Sequence, residues 1–170
     1  MKTDTILAID PGLREPGLAV LSGRRLLVHE TLWLRDTPKR DRLSTIQSAI
    51  ARLAKTHQPG AVVVEKTYRH PVPWLDELHQ ITLATKRLAR RGGAEFATYS
   101  PQAVRRTVAG YGKARKPEVA LAVAHRFPQL RVLLTQDRRW KERYWLNMFD
   151  AVALALHHQA VTHQPPSRSR

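Results

Sequence analysis

Two short apolar runs, Thr5 to Asp10 (TILAID) and Ala61 to Glu65 (AVVVE), constrain this chain more than any other feature. Runs of this length bounded by turn signals read as buried strands. The first is closed by Pro11-Gly12 and the second is opened by Gln58-Pro59-Gly60. Each strand ends in a carboxylate. If the two are parallel neighbours, both acids emerge at one edge of a sheet, where ligands of open α/β sheets bind.

The rest of the chain supplies the layers such a sheet needs. Leu18 to Leu21 and Arg25 to Leu34 read as two more strands turned at Ser22-Gly23, so the chain opens as an antiparallel meander. Leu43, Ile46, Ile50, Leu53 and Ala54 follow helical spacing within a segment from about Lys39 to His57. Trp74 to Arg91 reads as helix and Ala94 to Tyr99 as strand. Ser100-Pro101 supplies a cap and first turn for a helix stopped by Gly110. Pro117 to Phe127 and Leu146 to His163 complete the helices, and Arg131 to Leu134 reads as a short strand or loop. The expected architecture is α/β, a mixed central sheet flanked by helices in one domain, residues 1–163, with Gln164 to Arg170 as a disordered basic tail.

Charge narrows the partner. Lys and Arg number 29 against 14 Asp and Glu, a formal +15 with a pI near 11.2. A surface so basic repels itself unless a polyanion shares it, and nucleic acid is the commonest such partner. No apolar run approaches the ~20 residues that span a bilayer, and Met1 to Asp4 begins no signal peptide, so no membrane partner and a cytoplasmic location are expected. With no cysteine, disulfides and thiolate-bound zinc are excluded. Any metal must sit on carboxylates, amides or imidazoles.

Asp10, Glu65 and Asp150, the last at the start of an apolar helical stretch AVALAL, are the acids best placed for chemistry. Converging carboxylates repel one another unless a divalent cation lies between them, and oxygen donors select hard ions such as Mg²⁺ or Mn²⁺. Each acid also has a plain structural reading. Asp10 can make a turn with Pro11-Gly12, Glu65 can pair with an arginine at a strand end, and Asn147 with Asp150 has the spacing of a helix cap.

At this point the residues resemble a family. IDPG (Ile9 to Gly12), VVVEKTY (Val62 to Tyr68), YSPQAVRRTVAGYGKARKPEV (Tyr99 to Val119) and DAVALALHH (Asp150 to His158) are similar, in order and spacing, to successive motifs of the RuvC Holliday junction resolvases. The resemblance spans roughly residues 5 to 160. It implies an RNase H-like fold, a homodimer with two active sites, and an endodeoxyribonuclease that resolves four-way DNA junctions by paired symmetrical nicks. It further implies Asp10, Glu65 and Asp150 as metal ligands for Mg²⁺ or Mn²⁺ in a two-metal hydrolysis. Lys113 and Lys116 take the places of basic residues that contact DNA near the cut, and a branch-migration motor is a possible partner. In that family an acid, sometimes His, stands three positions before the last Asp; here it is Asn147, whose carbonyl can still ligate a hard cation without bringing charge.

Beyond the acids, Tyr68 and Trp74 in the segment YRHPVPW are aromatics suited to stacking on unpaired bases, with burial of Trp74 in a core or interface as the other reading. From Lys86 to Arg143, fifteen Lys or Arg face four acids, which points to a DNA path with Arg105, Arg106, Lys113, Arg115 and Lys116 nearest the active edge. The run Arg138 to Arg143 reads as a DNA-facing loop or a solvated helix face, and His157 and His158 as surface or packing residues rather than ligands. Two other functions fit the same fold and charge: a catalytically weak junction-binding protein and an RNA-directed nuclease. An actin-like ATPase, suggested by IDPG, needs two such domains, and the chain is too short for them.

Overall fold

The computed structural model describes residues 3–67, 73–134 and 139–163. In the helices opening at 73 and 139, side chains are described from Asp76 and Trp145 onward. Tyr68, the side chain of Trp74, those of Arg139 to Arg143, and Gln164 to Arg170 lie outside the described residues, as do Thr135 to Arg138.

Five strands form one sheet: β1 (Thr5–Asp10), β2 (Gly17–Ser22), β3 (Arg25–Thr31), β4 (Ala61–Glu65) and β5 (Glu95–Tyr99), in the order β3-β2-β1-β4-β5. The first three are the antiparallel meander read from the sequence, and β4 and β5 add parallel to β1. Strand β3 stops at Thr31 rather than Leu34. Past that point the chain runs on in the same register without a regular ladder, Leu32 and Leu34 donating to the carbonyls of Pro16 and Arg14 ahead of β2.

Alternation along the strands divides the core. Leu7, Ile9, Leu18, Val20, Val62 and Val64 face α1 (Lys39–His57) and α2 (Pro73–Arg91). Ile6, Ala8, Ala19, Leu21, Ala61 and Val63 face the other way. There they meet α3 (Pro101–Ala109), α4 (Lys116–Arg126) and α6 (Arg139–Thr162). A short α5 (Arg131–Leu134) occupies the segment read as a strand or loop; it continues the 3₁₀ turn Pro128–Leu130, so its backbone bonds close locally. The last helix begins at Arg139, seven residues before the expected Leu146, because the polar run RWKER carries no apolar periodicity to announce it.

Ser100 caps α3 as expected, its hydroxyl accepting from the Ala103 N–H at 3.2 Å, and Gly110 ends that helix at φ 88°. Small residues set how closely α6 lies on the sheet. Ala151, Val152, Ala153, Leu154 and Ala155 are all fully buried in it. The tightest approach is at Gly17, where an added Cβ would stand 1.9 Å from the backbone oxygen of Asn147 and 2.4 Å from its carbonyl carbon. Neither atom belongs to a flexible side chain, so a methyl there forces strand and helix apart. Gly17→Ala is expected to destabilise the protein by about 3 kcal/mol in urea unfolding, the upper range for overpacking. Gly92→Ala, whose Cβ meets nothing nearer than 3.6 Å, should change stability by under about 1 kcal/mol.

Candidate active site

Strand parity decides where the two strand-end acids point. Asp10 follows Ile6 and Ala8 by twos, and Glu65 follows Ala61 and Val63, so both carboxylates project to the face covered by α6. The parallel register pairs Ile9 with Val64, which leaves Asp10 and Glu65 side by side one residue further on. Asp150, on α6, is brought against them by the close seating of that helix at Gly17. Gly17 is itself the strand partner of Asp10.

The three acids perturb one another. The Asp10 carboxyl is pushed well above the usual carboxylate range, first by burial, then by the charges of Glu65 and Asp150. Glu65 is raised to about 7 by burial and by Asp150, with Lys116 and Arg105 opposing. Burial raises Asp150 as well, again against Lys116 and Arg105. The Lys116 ammonium sits amid this group, 2.6 Å from Asp150 Oδ2. Burial works against its charge, but attraction to Asp150, Asp10 and Glu65 prevails and raises its pKa. Lys116 opens α4, where a cation opposes the helix dipole, so its position serves the carboxylates rather than its own helix. Among the described residues no three His, Asp or Glu side chains converge tightly enough to cage an ion as they stand.

Asn147 is close by but committed on both sides. Its Oδ1 accepts from Lys116 Nζ at 3.1 Å, and its Nδ2 donates to the Glu15 carbonyl at 2.6 Å. The amide oxygen expected as a possible metal ligand is thus in contact with Lys116 in this structure.

The remaining basic residues divide. Arg105 is half-buried and near enough to oppose the rise of Glu65 and Asp150. Lys113 stands exposed in the turn between α3 and α4, and Arg106 is also exposed. Arg115, likewise exposed, lies 3.6 Å from Glu118. Glu118 organises that turn, accepting from the Tyr111 hydroxyl at 2.5 Å and the Arg115 N–H at 2.6 Å. The GYGKARK segment is thus a pinned turn that delivers Lys116 to the carboxylates, while Lys113 and Arg115 face solvent. His157 and His158 are packing residues, buried rather than on the surface. Their Nδ1 atoms share hydrogen bonds with the Thr107 and Tyr99 hydroxyls, at 2.7 and 2.8 Å.

Two contributors escape sequence reasoning, Gly17 and the bridging role of Asn147. Gly17 lies just before the expected strand Leu18 to Leu21, and only the packed helix shows what glycine makes room for.

The family model of the crossover junction endodeoxyribonuclease RuvC matches residues 6–158. RuvC of Acidiphilium cryptum is 32% identical over 172 residues, covering 95% of this chain and 96% of the relative. RuvC of Alkalilimnicola ehrlichii is also 32% identical, covering 97% and 94%. Among solved structures, T. thermophilus RuvC in complex with a Holliday junction substrate superposes with a TM-score of 0.73 at 27% identity, over 93% of this chain and 94% of that one. The mixed five-stranded sheet with helices on both faces is accordingly the RNase H-like fold. On sequence and architecture together, the chain belongs to the RuvC family of crossover junction endodeoxyribonucleases.

Proposed function

We propose that this protein cuts four-way DNA junctions by paired symmetrical nicks, with Asp10, Glu65 and Asp150 holding Mg²⁺ or Mn²⁺. The observation that carries this reading is that buried Asp10 and part-buried Glu65 and Asp150 lie within electrostatic reach of one another on the α6 face at the end of parallel β1 and β4, beside Lys116 and Arg105. The donor set fits the metals: every acid offers hard oxygen, and their mutual repulsion needs a cation to relieve it. Held by Asp10, Glu65 and Asp150, such ions would supply an activated water and charge stabilisation, and no protein nucleophile would be required.

The chain's own residues do the rest. Asp10 and Glu65, fixed on rigid strands, set the position of the phosphate relative to the sheet edge. Lys116 and Arg105 offset negative charge gathering on that phosphate. Exposed Lys113, Arg106 and Arg115 hold the DNA backbone alongside, and Tyr68 and Trp74 stack on bases opened at the junction. The isolated chain carries one such site, so symmetrical nicks require a homodimer; a branch-migration motor would supply the junction.

Cleavage of labelled four-way, flap, duplex and RNA substrates in Mg²⁺ and Mn²⁺ tests this. Paired nicks in the four-way substrate are expected, and Asp10→Asn, Glu65→Gln and Asp150→Asn should each lower the rate at least ~100-fold while still binding the junction. Binding without cutting under any divalent ion would leave a junction-binding protein, and cutting of RNA alone would redirect the substrate.

The same electrostatics sets a stability prediction. A carboxyl whose pKa is higher folded than unfolded contributes stability below its unfolded value and loses it as pH rises through the folded one. For Glu65 that window runs from 4.5 to about 7. In chelator at pH 8, Asp10→Asn and Glu65→Gln should therefore melt above the parent, roughly 3 °C for each kcal/mol relieved, with the difference closing near pH 5. Adding Mn²⁺ should stabilise the parent more than either variant.

A further inference from the structure

Asn147 is fixed at three points. Its backbone carbonyl abuts Gly17, the strand partner of Asp10. Its side chain spans from the loop after Asp10, at the Glu15 carbonyl, to the ammonium of Lys116 at the start of α4. Neither side-chain contact leaves the amide orientation open: an ammonium only donates, so it faces Oδ1, and a carbonyl only accepts, so it faces Nδ2. The oxygen that could ligate a metal is therefore turned to Lys116, and the Glu15 contact holds the amide in that orientation. An acid at 147 could still receive Lys116 but would set an anion against the Glu15 carbonyl, a contact only a donor satisfies.

We propose that Asn147 is a positioning residue: it holds the Lys116 ammonium among Asp10, Glu65 and Asp150 and tethers the loop after Asp10, and it does not ligate metal. The proposal rests on the reading of the three acids as metal ligands. Lys116, 2.6 Å from Asp150, then stands where an entering cation must compete with it, and the amide sets how firmly it competes.

A bridge and a ligand give opposite signs. The full-length chain is titrated with Mn²⁺ by calorimetry, comparing the parent with Asn147→Leu, Lys116→Ala and the double variant. Leucine keeps the branching of asparagine at Cγ, though not its volume, and removes both hydrogen bonds. If Asn147 acts through Lys116, Asn147→Leu tightens Mn²⁺ binding between about two- and tenfold, the worth of one lost hydrogen bond. Lys116→Ala tightens it too, and the double variant binds no more tightly than Lys116→Ala alone, as expected of two residues acting as one unit. Weaker binding by Asn147→Leu, unchanged binding, or effects that multiply would each overturn the proposal. Should leucine prevent folding, Asn147→Ala gives the same comparison.

A second measurement needs no metal. The Lys116 ε-methylene signal, followed by NMR of lysine-labelled protein in chelator, should move toward the free-lysine position in Asn147→Leu, and a signal that stays in place overturns the proposal. If the parent binds no Mn²⁺, the nuclease reading falls, and the NMR comparison still decides whether Asn147 holds Lys116.

Discussion

Everything at the active edge depends on how closely α6 can lie against the sheet. Gly17 carries no side chain, and the Asn147 carbonyl takes the space a Cβ would fill. The alanines of DAVALAL continue that approach along the helix, so Asp150 arrives beside two acids delivered by strand parity. A bulkier strand or helix would bury as much apolar surface yet hold the third carboxylate out of reach. Packing at backbone distance, rather than any polar contact, is what creates a site of three charges.

Those charges oppose the fold that gathers them. Burial raises all three carboxyls and repulsion adds to the rise at Asp10 and Glu65, while the compensation comes from two basic residues, Lys116 and half-buried Arg105. Lys116 sits at a helix start where its charge is unfavourable on local grounds. Local rules are thus broken at one place, and the breach marks the site, as expected where function overrides stability.

Much of this was legible in the residues. The two apolar runs with terminal acids marked β1 and β4, and Ser100-Pro101 marked the start of α3. The segment 131–134 was not, because four residues of mixed character fit strand, loop or helix equally and its bonding is set by the 3₁₀ turn before it. Nor was the start of α6, since a polar, aromatic-containing stretch has no apolar period to read. Asn147 was noticed for the charge it lacks. Its two partners come from residues 31 positions before it and 132 positions before it, a separation no local pattern encodes.

The buried histidines have a further consequence. A helix face of alanine, valine and leucine slides and rotates against a sheet with little penalty, because dispersion contacts have no direction. His157 and His158 lie two turns beyond Asp150 and are joined by hydrogen bonds to Thr107 on α3 and Tyr99 on β5. These bonds fail if the helix turns about its own axis. They act as a rotational key: greasy packing sets the depth of α6, and two imidazoles at its far end set the angle at which Asp150 faces its partners.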